Sequence, residues 1–332
     1  MVLKEIGKEK MKRVMIIDSL NLFIRNYIVS PALSTNGQPI GGLVGYLRSL
    51  QKYIREIKPD EIIIVWDGPG GSRKKKGIIE NYKEGRAPIR LNRNVKVLTE
   101  DQEMENKVWQ QYRLFDYLNN FPILQFLEPE IEADDLISFV SQHSKYADWH
   151  KIIVSSDKDF IQLCSNNTVL FRPMQNSIMT WKTIVEEFGI HPNNFALARA
   201  MAGDKSDNIP GVPGVGLKSV SKYLPFMAEE KSYFFEDLEE YCQEKVNEGA
   251  KPKFYQNVLD NMGMIRNNYR GTQLYSPNIS VQVAQKTRNT INEFQYELNI
   301  TGTTKMLLED GIAHSNFEEM YKRFNKIVVD NK

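Results

Sequence analysis

A chain of 332 residues is long enough for one large domain and a smaller one, and 41% hydrophobic with 26% charged residues is the balance of a water-soluble globular fold. No apolar run approaches the ~20 residues of a membrane-crossing helix, and Met1 to Arg13 lacks the apolar stretch of a secretory signal. The cysteines, Cys164 and Cys242, stand far apart, which excludes a disulfide scaffold and a thiolate zinc site and points to the cytoplasm.

The net charge of +1 hides a segregated distribution. Arg73, Lys74, Lys75, Lys76, Lys83, Arg86, Arg90, Arg93 and Lys96 share one segment with only Glu80 and Glu84 against them. Such segregation suits phosphate binding beside a cation site.

In chain order, Val14-Met15-Ile16-Ile17 reads as a buried strand ending at Asp18. Leu20, Phe23, Ile24 and Tyr27 then repeat at helical spacing, and after a loop a second helical stripe runs from Leu43 to Ile57, closed by Pro59. Ile62 to Trp66 is the next strand, ending at Asp67-Gly68, and Pro69-Gly70-Gly71 opens the basic segment. A helical stripe returns from Lys107 to Leu118, followed by a strand over Phe121 to Leu127. Glu130-Ile131-Glu132-Ala133-Asp134-Asp135 leads into another helix. Lys151 to Val154 is a strand that runs into Ser155-Ser156-Asp157-Lys158-Asp159-Phe160. Val169 to Phe171 is a shorter strand, and Trp181 to Phe188 a helix stopped by Gly189. This alternation predicts an α/β domain with a mostly parallel sheet. From Asn193 the pattern is helical, and beyond Gln273 it weakens.

Three strands end at or just before a carboxylate: Asp18, Asp67 and Asp157. In an open parallel sheet those ends share one edge, where ligands bind. Glu132, Asp134, Asp135 and Asp159 follow strands of the same kind. Asp204 and Asp207, about one helical turn apart, extend the set from the helical region. One strand-ending Asp is ordinarily a cap or turn residue, but so many ordered acids imply cations that neutralise them. Oxygen-only donors suit Mg²⁺, with Mn²⁺ able to replace it, rather than zinc. Paired ions of this kind serve phosphodiester hydrolysis. Behind Asp207, Gly211-Val212-Pro213-Gly214-Val215-Gly216 is a turn whose exposed N–H groups suit a phosphate oxygen.

Together, Asp18 with Arg25, Trp66-Asp67-Gly68, Glu132-Ala133-Asp134-Asp135, Ser156-Asp157-Lys158-Asp159-Phe160 and Gly203 to Gly216 resemble the successive motifs of the 5′-3′ exonuclease and flap endonuclease family. That family includes phage 5′ nucleases and the nuclease domain of bacterial DNA polymerase I, and the resemblance runs from about Val14 to Leu224. It implies a PIN-like nuclease domain over 13–190, after a charged leader at 1–12, with a basic arch over about 70–106. A helix-hairpin-helix-type (helix-three-turn-helix) DNA-binding module follows over 191–272, and 273–332 has no assigned role.

The resemblance also implies two metal ions. Asp67, Glu132, Asp134 and Asp135, with Asp18 nearby, would hold one; Asp157, Asp159 and Asp207, with Asp204 beside them, would hold the other. Tyr82-Lys83-Glu84-Gly85-Arg86 is similar to the family's Tyr-Lys-X-X-Arg stretch, which implies that Lys83, assisted by Arg86, meets the scissile phosphate. Arg25, Arg73, Lys74, Lys75, Lys76, Tyr82 and Lys218 are then nucleic-acid contacts, as are Gly211, Gly214 and Gly216, with K⁺ at that turn. The activity implied is cleavage of 5′ flaps, nicked or gapped duplexes and RNA primers in RNA–DNA hybrids, in phage DNA replication within a bacterial cytoplasm. Two rival readings remain: a PIN-type endoribonuclease, which would lack the Gly-rich hairpin, and a non-catalytic structure-specific DNA-binding protein, which would have lost acids or Lys83.

Overall fold

Strands β1 (Arg13–Asp18), β2 (Glu61–Trp66), β3 (Leu124–Leu127), β4 (His150–Val154), β5 (Thr168–Arg172) and β6 (Ser177–Met179) form one sheet in the order β3-β2-β1-β4-β5-β6. All pairings are parallel except the β5–β6 edge. The computed structural model describes residues 11–84, 91–312 and 317–331. None of its helices is long and apolar enough to cross a membrane.

The strands are apolar on both faces, as a parallel sheet covered on both sides requires. Successive residues point to opposite faces, so Met15, Ile17, Ile62, Ile64, Ile152 and Val154 enter one core. Val14, Ile16, Ile63, Val65 and Ile153 enter the other. The first core is closed by α1 (Ser19–Val29), α2 (Gly41–Ile57) and α4 (Glu100–Leu118). Between α2 and α4 lies the one-turn helix α3 (Arg73–Lys76). Helix α4 starts seven residues before the expected stripe, because Thr99 and Gln102 form a reciprocal capping box ahead of a polar first half.

The second core is covered by α5 (Ala133–Ser141), α6 (Trp181–Phe188) and a helical unit comprising α7 (Pro192–Ala202), α8 (Leu217–Tyr223), α9 (Phe235–Asn247), α10 (Phe254–Asp260) and α11 (Met262–Thr272). Helix α11 packs along α7. Val212, Val220, Leu238 and Ile265 join the same buried cluster as Ile153 and Phe160, so the helical unit is seated on the sheet layer through continuous apolar packing.

Three more helices, α12 (Val281–Glu293), α13 (Ile300–Glu309) and α14 (Glu318–Asp330), occupy the region with the weakest sequence pattern. Helix α14 packs on α2 and buries Met320, Phe324 and Ile327, one helical stripe, in the first core. The Phe324 ring stacks on Phe121 at 4.9 Å. Arg323 donates to the carbonyls of Lys58 and Pro59, at 2.7 and 2.6 Å, where the chain leaves α2 for β2. Helix α14 is therefore structural support for the sheet. Phe324→Ala is expected to lower unfolding free energy by about 3–5 kcal/mol, read as a fall in the denaturant midpoint at unchanged slope; a midpoint equal to wild type would remove α14 from the core.

Candidate active site

Strand β1 has β2 on one side and β4 on the other, so the chain reverses its winding at the carboxyl end of β1. Asp18 ends that strand, Asp67 follows β2 and Asp157 lies just beyond β4. All three line one open cleft of about 1380 Å³, together with Glu132, Asp134, Asp204 and Asp207. Asp18 caps α1 by accepting the Asn21 N–H at 3.3 Å, and its other oxygen accepts the Ser155 hydroxyl at 2.8 Å. Asp67 accepts the Ala133 N–H at 3.0 Å, which ties the end of β2 to the start of α5. Gly68 makes that approach possible, since a Cβ there would lie 1.7 Å from the Glu128 carbonyl oxygen.

Helix α5 begins with Glu132 as its N-cap and carries Asp134 and Asp135 in its first turn. These three bring one carboxylate oxygen each within 4.8 Å of one another. The basic segment folds onto them. Lys75 Nζ lies 2.5 Å from Asp134 Oδ2, 2.7 Å from Glu132 Oε2 and 3.7 Å from Asp135 Oδ2. Lys83 Nζ meets Glu132 Oε1 and sits over the Tyr82 ring. Tyr82 is buried with Ile79 and Ile209, and its hydroxyl donates to Glu132 Oε2 at 3.3 Å.

Two residues of the basic segment stand apart from their neighbours. Lys75 and Tyr82, read as nucleic-acid contacts, are buried: the Lys75 side chain is only 7% exposed, while Arg73 in the same turn is 73% exposed and pairs with Glu130. Both turn inward because Glu132 and its neighbours offer a buried ammonium and a buried hydroxyl their partners. Lys74 and Lys76 do face solvent. Arg86, with the rest of 85–90, lies outside the described residues.

On the other side of the cleft, α7, the turn after it and α8 bring in the remaining acids. Asp204 and Ile209 pair through two backbone hydrogen bonds of 2.9 and 2.7 Å. This pairing packs Gly203 against Gly211, where a Cβ on Gly203 would meet the Gly211 nitrogen at 2.4 Å. The Lys83 N–H donates to the Asp207 carbonyl at 2.8 Å and Asn208 donates to the Asn81 carbonyl at 3.0 Å, so the basic segment and the turn hold each other.

Arg199, on α7, escaped the sequence reading. It pairs with Asp159 at 3.1 Å and with Asp204. Its only sequence signal is a cation five residues before Asp204, in the otherwise apolar run from Phe195 to Ala202. Asp159, Asp204, Asp157 and Asp207 do not converge as tightly as the first triad among the described residues.

The turn supplies fewer free amides than its glycines suggested. The Val212 N–H donates to Met201, that of Val215 to Val212 and that of Gly216 to the Ser219 hydroxyl at 2.8 Å. Gly214, Gly216 and Lys218 nonetheless face solvent. Arg25 is not among the residues that line the cleft and donates to the Tyr53 hydroxyl at 3.3 Å.

Electrostatics follow the crowding. Burial first, then Asp67 and Asp157, push the Asp18 carboxyl up to about 8. Burial and the Asp157 charge push Asp159 up to about 7. Asp67 and Asp157 reach solvent, yet protein atoms around their carboxyls displace enough water to raise both. Asp135 is also raised, by burial and by Asp134. Asp134 is lowered by Lys75, and Asp204 by its Ser206 hydrogen bonds and Arg199, each against burial. Oxygen donors under this much repulsion fit a divalent cation.

A family model described as "5′-3′ exonuclease, N-terminal resolvase-like domain" matches residues 13–189. The chain is 31% identical over 217 residues to a 5′-3′ exonuclease of Aquifex aeolicus, covering 64% of this chain and 69% of that one. It is 29% identical over 217 residues to a thermostable DNA polymerase I of Thermus filiformis, covering 65% of this chain but 24% of the polymerase. Its fold is similar to that of the bacteriophage T5 D15 flap endonuclease in a pseudo-enzyme–product complex with DNA and metal ions. That match has a TM-score of 0.63 at 17% identity, covering 91% of this chain and 100% of that one.

The raised Asp18 carboxyl has a measurable consequence. The folded state keeps this proton up to about pH 8, whereas the unfolded chain releases it near 3.8. Stability is therefore lost progressively as pH rises between those values, and the full penalty stands above them. Asp18→Asn removes the penalty, so its thermal midpoint in EDTA should gain on wild type between pH 5 and pH 8. A gap independent of pH would contradict this reading of Asp18.

Proposed function

The chain belongs to the 5′-3′ exonuclease family, and on that premise we propose that it is a divalent-metal-dependent, structure-specific 5′ nuclease acting on 5′ flaps and nicked or gapped duplexes. The observation that carries the proposal is the meeting of carboxylates from four strand ends and from the α7–α8 turn in one cleft that Lys83 also lines. The T5 flap endonuclease, which shares the fold, binds DNA and metal ions, in keeping with the same ligands here.

Glu132, Asp134, Asp135 and Asp67, with Asp18 behind them, are the residues we assign to one metal ion. Asp157, Asp159 and Asp207, with Asp204, are assigned to a second. Mg²⁺ held by these residues, or Mn²⁺ in its place, would supply an activated water and neutralise charge on the leaving oxygen. The protein's own part is to orient and to exclude. Lys83, held by Glu132 and by the Tyr82 ring, places a positive charge in the cleft where a phosphate would gather negative charge. Arg73, Lys74, Lys76 and Lys218 are exposed and suit the phosphate backbone, giving shape recognition without base readout. The turn from Gly211 to Gly216 is proposed to meet duplex phosphates with K⁺, making 191–272 the DNA-binding module beside a nuclease unit over 13–190. RNA–DNA hybrids are included as substrates, and primer removal during phage replication in a bacterial cytoplasm is the task we assign.

A 5′-end-labelled flap duplex tests the proposal. With Mg²⁺, release of short 5′ fragments is expected; EDTA and Asp157→Asn should each abolish it. Lys83→Ala should lower the single-turnover rate roughly 100- to 1,000-fold, as for loss of one transition-state charge donor. Tight binding of the flap with no cleavage in Mg²⁺ or Mn²⁺ would leave only a binding protein.

A further inference from the structure

The Lys75 ammonium occupies the point toward which the acidic triad converges. Each of the six triad oxygens already has a neighbour. Glu132 Oε1 meets Lys83 and Oε2 meets Lys75. Asp134 Oδ1 accepts the Asp135 N–H at 2.8 Å, while Oδ2 meets Lys75. Asp135 Oδ1 accepts the Asn278 N–H at 2.8 Å, while Oδ2 faces Lys75 at 3.7 Å. The outer oxygens are thus committed to backbone groups and Lys83, and the inner three share one ammonium. A divalent ion binding to that inner set needs the same lone pairs. Two cations cannot share them, because at such separations their repulsion in a partly dry site is large.

We infer that Lys75 is a built-in counter-ion that holds the metal-free triad together and must be displaced when a divalent cation binds there. The inference rests on the reading of the triad as a metal site. It follows that the affinity of the site is set by a competition inside the protein. The buried ammonium stabilises the apo cluster, and whatever it contributes there is subtracted from metal binding. Helix α3 is a single turn flanked by glycines at 70, 71 and 77, so the ammonium can leave without disturbing a long element.

The test is Mn²⁺ binding to the 332-residue chain without nucleic acid, followed by electron paramagnetic resonance of free Mn²⁺. Lys75→Met, of similar length and uncharged, is expected to tighten the Asp134-dependent site at least tenfold. Lys75→Arg, which keeps the charge, should bind no tighter than wild type. Lys107→Met, which removes a cation from the cleft wall but not from the triad, should stay within about twofold if the effect is competition at the triad rather than general charge. In EDTA, Lys75→Met should also melt below wild type and recover on adding Mn²⁺.

Equal or weaker Mn²⁺ binding by Lys75→Met, with binding still lost in Asp134→Asn, would overturn the counter-ion role while leaving the metal site standing. Binding insensitive to Asp134→Asn would overturn both. Should Lys75→Met fail to fold, amine labelling of the wild-type protein reads the same event by mass spectrometry. Lys75 should be protected in EDTA and become reactive in Mg²⁺, and unchanged protection would overturn the inference.

Discussion

Like-charge repulsion at the carboxyl edge of the sheet is the constraint around which this protein is built. Parallel strands bring Asp18, Asp67 and Asp157 to one edge, and the segments that follow add Glu132, Asp134, Asp204 and Asp207 to the cleft, with Asp135 facing Lys75 and Asp159 paired to Arg199. Left alone, such a cluster would protonate or push its elements apart. Among the described residues, three internal cations answer it. Lys75 and Lys83 come from the basic segment and meet Glu132 and its neighbours; Arg199 comes from α7 and bridges Asp159 and Asp204. These cations also fasten the basic segment and α7 to the edge, so neutralising charge and assembling the cleft are one act. The residual strain is visible in Asp18 and Asp159, whose carboxyls hold their protons to about 8 and about 7.

The same arrangement explains why the helical unit and the basic segment are interdependent. Lys83 adopts a left-handed backbone (φ 58°) and Asn81 and Asn208 do likewise. Such conformations are unfavourable for a lysine and persist only where surroundings hold them. Here the surroundings are the Asp207 carbonyl, the Asn208 amide and the small apolar cluster of Ile79, Tyr82 and Ile209. Lys83 is thus aimed by the turn that carries Asp207. A substrate contact at either element is mechanically linked to the other.

Much of this was legible in the sequence, for physical reasons that can be named. A strand buried on both faces must be a continuous apolar run, so Val14 to Ile17, Ile62 to Trp66 and Ile152 to Val154 announced themselves, and the acids behind them marked the edge. What stayed hidden were choices made by tertiary contact. Within Arg73-Lys74-Lys75-Lys76 nothing local distinguishes the buried cation from its exposed neighbours; only the direction of one helical turn does. Arg199 looked like an ordinary helix cation. The start of α4 at Glu100 was written in Thr99 and Gln102, yet its polar first half carries no stripe. The Met320, Phe324 and Ile327 stripe of α14 was also present, but a single short stripe does not say which core it joins.

The central claim is that the acidic cleft places a divalent cation on the scissile phosphate, and a sulfur substitution reads this directly. Flap duplexes carrying a single phosphorothioate of defined configuration at the cleavage site would be cleaved under single-turnover conditions in Mg²⁺ and in Mn²⁺. The account predicts that one diastereomer is cut far more slowly than the phosphate in Mg²⁺ and is largely rescued by Mn²⁺, which accepts sulfur more readily. Equal slowing of both diastereomers in both metals would contradict it, since the cation would then not touch the reacting phosphate.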